Sequence, residues 1–347
     1  MVIKCIFFRL ARLVNAKMAL LVASIAFLVM LASCGTKPSG TEPTKQTSSS
    51  PNGKIAFARV DNRVGQYEIF VMKANGTEAR KLATKPAQDN NPAWSPDGKR
   101  LALEAESSPG GNTGRNIDIY VMNADGSELK RITEEPTQES MPSWSPEGTR
   151  IAFSMVDISS FSSASASSSA KSIRDNSNEN GIYTIRLDGT DLRQLTDNMV
   201  DEYPAFSPDG KTIALARVAK ASGGIYTVNP DGSRLKRLTA PPQGSWDSEP
   251  SWSPDGTKIV FTRGGAHSEP NAFMMNADGT HIRKLATKMG TANSPAFSPD
   301  GKKIAFVGPE GSTDKLYVMN ADGTNVRRLT KTPSAIWEEA PDWQPLP

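Results

Sequence analysis

Five carboxylic acids recur at one position of this 347-residue chain. Asp89, Glu139, Asp201, Asp247 and Glu338 each stand three residues before a proline, and the sixth equivalent position is Ala292. Gathered around one opening, such acids would focus a negative potential and draw a cationic ligand or a basic partner. Taken in pairs, carboxylates can also cleave glycosides. That chemistry needs one acid of the pair driven to a raised pKa, and no feature of the sequence shows this. A local use is open as well, because acids in connecting segments accept backbone N–H bonds from their own loop. Asn90, Glu202, Asn293 and Glu339, one residue further on, would add polar groups to the same mouth.

Other chemistry finds little material. His267 and His281 are the only histidines, so a His-rich metal site is excluded and a Ser-His-Asp triad is not expected. G-x-S-x-G, Walker and H-E-x-x-H stretches are absent. The recurring "NADG" is similar to part of a calcium loop but lacks the closing bidentate Glu, so its expected role is hairpin turn chemistry. No metal, cofactor or catalytic residue is expected.

The acids must be positioned by the elements that repeat around them. Turns of the NADG type occur at Asn75-Gly76, Asp125-Gly126, Asp188-Gly189, Asp231-Gly232, Asp278-Gly279 and Asp322-Gly323. A second turn, related to "SPDG", places glycines at 53, 98, 148, 210, 256 and 301. Intervals mostly in the forties, with strand-like content between them, indicate propeller blades. Each unit reads as four short strands of alternating apolar residues bounded by Gly, Asp and Asn. Copies of the second, third and fourth strands begin at Lys54, whereas the last copy of the first strand, "PDWQ" (341–344), stands alone at the end. The expected fold is therefore all-β: a six-bladed β-propeller of four-stranded blades, closed by pairing the C-terminal strand with the first blade. Closure removes exposed sheet edges. Trp94, Trp144, Phe206, Trp252, Phe297 and Trp343 share one repeat position and are expected to pack between blades.

The stretches "PAWSPDG" (92–98), "IYVMNADG" (119–126) and "LKRLT" (235–239), with their counterparts across 51–345, resemble the WD40-like PD40 repeats of the TolB family. The resemblance implies a six-bladed propeller that binds protein partners in a Tol–Pal-type envelope system. TolB proteins carry an α/β domain before the propeller, whereas sixteen residues stand between Cys34 and Pro51 here. The Tol-specific role is thus an alternative to a more general binding role.

The N-terminal segment has its own logic. Lys4, Arg9, Arg12 and Lys17 precede the uncharged run "MALLVASIAFLVM" (18–30), and "LASC" (31–34) follows. This pattern reads as a secretory signal, and Leu31-Ala32-Ser33-Cys34 resembles the bacterial lipobox. The resemblance implies lipidation of Cys34 after cleavage, with 1–33 as signal peptide, 34–50 as tether and 51–347 as propeller. Without the four leader cations, 36 basic face 37 acidic side chains, too even a balance for a nucleic-acid partner.

Residues 154–180 hold eleven serines and read as an insertion in the third blade, either a mobile loop or a contact arm. Eleven of twelve aligned places in the fourth strands are Lys or Arg, from Arg80/Lys81 to Arg327/Arg328. Such charge protects outer edges from pairing or touches anionic polymers. The expected function is that of a non-catalytic, lipid-anchored cell-envelope protein. It would be a monomer that binds a basic envelope protein or peptide on the periplasmic or extracellular side. A lipid-anchored enzyme acting on envelope or extracellular carbohydrate or peptide is the alternative from another class.

Overall fold

The computed structural model describes residues 53–82, 88–107, 116–135, 137–157, 180–218, 223–266, 268–285 and 289–346. The expected signal peptide, Cys34 and the tether lie outside these residues, as does 158–179 of the Ser-rich segment. The described residues form six four-stranded antiparallel sheets.

Blade 1 has the order β24 (Ile336–Trp343), β1 (Lys54–Asp61), β2 (Tyr67–Lys73), β3 (Arg80–Lys81). Blade 2 runs β4 (Asn90–Trp94), β5 (Arg100–Glu106), β6 (Ile117–Asn123), β7 (Lys130–Arg131), and blade 3 runs β8 (Gln138–Trp144), β9 (Arg150–Val156), β10 (Gly181–Arg186), β11 (Arg193–Gln194). Blade 4 comprises β12 (Asp201–Phe206), β13 (Ile213–Val218), β14 (Gly223–Val228) and β15 (Lys236–Arg237). Blade 5 comprises β16 (Ser245–Trp252), β17 (Lys258–Gly265), β18 (Ser268–Asn276) and β19 (Arg283–Lys284). Blade 6 comprises β20 (Asn293–Phe297), β21 (Lys303–Glu310), β22 (Thr313–Asn320) and β23 (Arg327–Arg328). The first strands β24, β4, β8, β12, β16 and β20 touch one another in that order around the ring.

Closure occurs where the sequence places it. Ile55 pairs with Trp343 and Ala56 with Asp342. The turn that other blades build from Ser-Pro-Asp-Gly, or Ser-Pro-Glu-Gly in blade 3, is divided here between the N-terminal and C-terminal strands of the propeller. In blade 2, Arg100 N donates to Ser95 Oγ at 2.9 Å, and the Ser95 hydroxyl donates to Asp97. In blade 1, Gln344 takes the serine's part: its Oε1 accepts Lys54 N at 3.1 Å, and its own N donates to Lys54 O at 2.8 Å.

The core lies between blades rather than within them. Each buried cluster draws on two neighbours, as where Ile55 and Phe57 meet Val307, Leu316 and Trp343. The Trp position serves this seam. Indole N–H groups of Trp144, Trp252 and Trp343 donate to the main-chain oxygens of Ala93, Ala205 and Ala296 in the preceding blade. At the closing seam Asp342 Oδ2 accepts Trp94 N at 2.7 Å.

Both tight turns lie on one face of the ring. In the NADG turns the acid accepts from the hydroxyl two residues on, at 2.6 Å for Asp125 and Ser127, and the same bond recurs at Asp322 and Thr324. Their glycines are required twice over. Gly76 has φ of 88°, and a Cβ there would strike the main-chain oxygen of Leu329 in the preceding blade.

Candidate functional site

The five sequence-selected acids come together at the opposite end of the axis, the end that carries the loops between second and third strands. They differ from expectation in two respects. Glu139, Asp201, Asp247 and Glu338 lie inside first strands rather than in linking segments, and Asp89 directly precedes one. All five are buried, with exposures of 1% or less. The partners found are side chains, arginines of the adjacent strand for Asp201, Asp247 and Glu338 and threonines of the linking segment for Glu139 and Glu338.

Three of them are held by arginine. Arg217 Nε and Nη2 donate to Asp201 at 2.6 and 2.7 Å. Arg263 holds Asp247 in the same two-pronged way, at 2.6 and 2.8 Å. Arg59 Nη2 reaches Glu338 Oε1 at 2.8 Å. In each case acid and base are direct cross-strand partners, the arrangement in which opposite charges favour pairing. The guanidinium also lies over an aromatic ring of the third strand, 4.0 Å from the Phe70 centroid for Arg59 and 4.9 Å from Phe273 for Arg263. A planar, bidentate cation with weak hydration is suited to this buried position.

Where arginine is missing, the acid is treated differently. Glu139 stands opposite Met155. It accepts from Thr133 Oγ1 at 3.1 Å and from Thr137 Oγ1, and it lies within hydrogen-bonding reach of Asp118 on β6 of the preceding blade. Asp118 is paired with Arg131 at 2.9 Å, yet its Oδ2 has no hydrogen-bond partner among the described residues. Burial, with Asp118 as a further negative neighbour, pushes Glu139 up to about 9. Asp89 is 1% exposed, and its Oδ1 likewise lacks a partner among the described residues. Burial pushes Asp89 up to about 7, with Glu68 adding to the rise and Lys81 opposing it. The equivalent of arginine in that blade is Ala105, the residue after Glu104, which pairs with Asn90. In blade 6 both members are absent: Ala292 and Gly308 take the two places.

The junction into blade 1 has a second buried cation. Lys315 is fully buried, donating to Pro333 O at 3.0 Å and to Ile336 O. Burial lowers its pKa, and Glu338 works against that shift.

Beside each acid the first strand bends. Asn91, Met141, Tyr203, Glu249, Ser294 and Ala340 each precede the proline with φ between 48° and 58°. A pairing irregularity accompanies each of the six. Left-handed backbone at non-glycine residues costs on the order of 1–3 kcal/mol each and persists only where surroundings enforce it. The enforcement is visible. Glu104 Oε2 accepts Met141 N at 2.9 Å across a blade junction, and Glu249 Oε2 accepts Ser294 N at 2.7 Å across another. The result is a rim of re-aimed side chains. Glu202, Asn293 and Glu339 are partly exposed on it, whereas Asn90 is buried.

Sequence reasoning missed the arginines and Asp118. Arg59, Arg217 and Arg263 share one offset in the second-strand repeat, a signal that was available. Asp118 had a weaker one, as a lone acid in the apolar strand "IDIYVM" (117–122). The basic outer strands have a structural role. Arg80, Lys130 and Arg283 donate to main-chain oxygens at the next blade's NADG-type turn, those of Ala124, Leu187 and Asp322 among them. His281 is exposed on an outer turn and bonds Asn276 and Thr280, and His267 lies outside the described residues. Of the Ser-rich segment, Ser154, Met155 and Val156 belong to β9, and Asp157 N donates to Asn180 Oδ1 at 2.8 Å.

Comparison with known proteins agrees with this geometry. The PD40 profile, described as the TolB beta propeller domain, matches residues 43–172 and 198–289. A TolB homologue of Chlorobium luteolum is 32% identical over 127 residues, covering 36% of this chain and 28% of its own. The Tol-Pal system protein TolB of Anaeromyxobacter dehalogenans is 25% identical over 167 residues, covering 47% of this chain and 37% of its own. The chain thus spans well under half the length of these relatives. The crystal structure of TolB from Acinetobacter baumannii superposes with a TM-score of 0.68 at 22% identity, covering 85% of this chain and 67% of that one.

Proposed function

The chain belongs to the TolB beta propeller (PD40) family, and from that premise we propose that it is a non-catalytic binding protein of the bacterial cell envelope, anchored by a lipid on Cys34. Its partner is an envelope protein or peptide, received at the loop-bearing end of the axis. The reading rests above all on the bent first strands. Six equivalent left-handed residues, one before the first-strand proline of each blade, re-aim the strands around the ring, and rigid scaffolds that present side chains around a concave mouth suit recognition. Four of the five carboxyls beneath this rim are buried in ion pairs or hydrogen bonds, which favours a structural role over attack on a substrate. Glu202 and Glu339 supply the accessible negative charge that a basic partner would meet.

Photocrosslinking residues placed at Glu202 or Glu339, compared with one at Asp125 on the turn face, test the proposal in intact cells. Capture of one envelope protein from the first two positions, and not from Asp125, is the expected result. Equal capture from both faces, or none from the rim, overturns it. Loss of a [1-14C]palmitate label in Cys34→Ser tests the anchor separately.

A further inference from the structure

We infer that the junction between blades 2 and 3 is a proton-binding site, in which Glu139 keeps its proton and donates a hydrogen bond to Asp118, and loss of that proton loosens the seam. The argument is one of charge and geometry. Two fully buried carboxyls, on β8 and β6, lie within hydrogen-bonding reach of each other. Arg131 is the one cation bonded to the pair among the described residues, and it is committed to Asp118 Oδ1. Two adjacent carboxylates facing one guanidinium would leave a net buried negative charge, an arrangement that drives one acid to keep its proton. The proton also resolves a defect, because Asp118 Oδ2 otherwise has no donor among the described residues. Glu139 can donate there while its oxygens accept from Thr133 and Thr137.

Beyond a long bond from Asn116 Nδ2 to Asp118 Oδ1 at 3.4 Å, the surrounding elements supply no further cation to the pair among the described residues. From β9 the facing residue is Met155, and β4, which packs beside β8, holds no titratable residue. From β5, Glu104 is engaged with Met141 N. From β12, Asp201 is taken by Arg217. On β6 itself Tyr120 is the other titratable neighbour of Asp118, and its hydroxyl is pushed upward by burial and by the Asp118 charge. Glu134 follows β7 and faces Arg131 from the exposed side.

Ionisation of Glu139 therefore breaks a carboxyl–carboxylate bond at a seam that also carries Ile119, Trp144, Ile151 and Phe153. The folded protein holds a proton that the unfolded chain releases, so the contribution of this group to stability is greatest at acid pH and falls as pH rises toward about 9. Each pH unit within that window changes the folding equilibrium constant by about tenfold for the one proton.

The test is thermal and chemical unfolding of the full chain between acid and alkaline pH, beside Glu139→Gln. The amide keeps a donor toward Asp118 and cannot ionise. We expect the variant to lose one proton's worth of pH dependence and to be the more stable protein at alkaline pH. Superimposable pH profiles overturn the inference. Should Glu139→Gln fail to fold, infrared difference spectra of the unaltered protein labelled with 13C-glutamate decide the matter. A protonated glutamic acid band at neutral pH that disappears toward alkaline pH supports the inference, and its absence at neutral pH overturns it.

Discussion

The junctions into blades 4 and 5 and those into blades 2 and 3 use the same acid position in two ways. Asp201 and Asp247 meet an arginine on the neighbouring strand, and each pair forms two hydrogen bonds. Asp89 and Glu139 meet Ala105 and Met155 in that place, and burial raises both into or above the neutral range. Blade 6 removes acid and base together, as Ala292 and Gly308. A buried carboxyl can be stabilised by a cation or by its own proton, and omission of both groups is a third solution. The first makes the site depend on the arginine of the adjacent strand. The second makes the seam depend on proton activity.

Breaking an arginine pair should have the largest effect. Arg217→Ala leaves Asp201 buried without its cation, and removing one partner of such a pair costs about 3–5 kcal/mol. Denaturant unfolding checks this, and a loss below about 1 kcal/mol would place these pairs with ordinary surface ion pairs. Copying blade 6 into blade 4, as Asp201→Ala with Arg217→Gly, should cost less than Arg217→Ala alone, because no uncompensated charge remains. A double variant worse than the single one would show that packing by the arginine stem outweighs its charge.

The pH dependence sharpens the contrast. Asp89 keeps its proton up to about 7 in the folded protein, against an ordinary value of 3.8. The folded state therefore binds a proton that the unfolded chain has released, and stability declines as pH rises from about 4 to about 7, then levels off for this group. Asp342, raised to about 7 mainly by burial, acts in the same direction. Asp89→Asn should remove one proton's share of that slope, up to about 1.4 kcal/mol per pH unit, as followed by melting curves at successive pH. The smallest effect is expected from Ala105→Arg, which would give blade 2 the arginine of blades 4 and 5. A gain of about 1 kcal/mol at neutral pH is expected, together with a fall in the Asp89 titration midpoint measured by carboxyl NMR. An unchanged midpoint would show that the inserted guanidinium does not reach the acid.

Much of this was legible before folding. Turn glycines, strand patterns and the solitary "PDWQ" segment foretell six blades and their closure, because each is a local or strictly periodic signal. The acids were legible as a series, and their surroundings were not. Asp118 and Glu139 are separated by twenty intervening residues and a blade boundary, and nothing local to either says that they meet. The left-handed residues show the same limit. Asn, Met, Tyr, Glu, Ser and Ala share no turn propensity, and their common φ is imposed by a bulge and by acceptors from adjacent strands.

By itself, then, the sequence determined the number of blades, their strand order and the way the ring closes, since hairpins are built from neighbours in the chain. Only the tertiary structure decided which carboxyls receive a cation and which retain a proton. That outcome depends on desolvation and on charges brought together by folding, across strands of one blade for the arginine pairs and across the seam between blades 2 and 3 for Glu139 and Asp118.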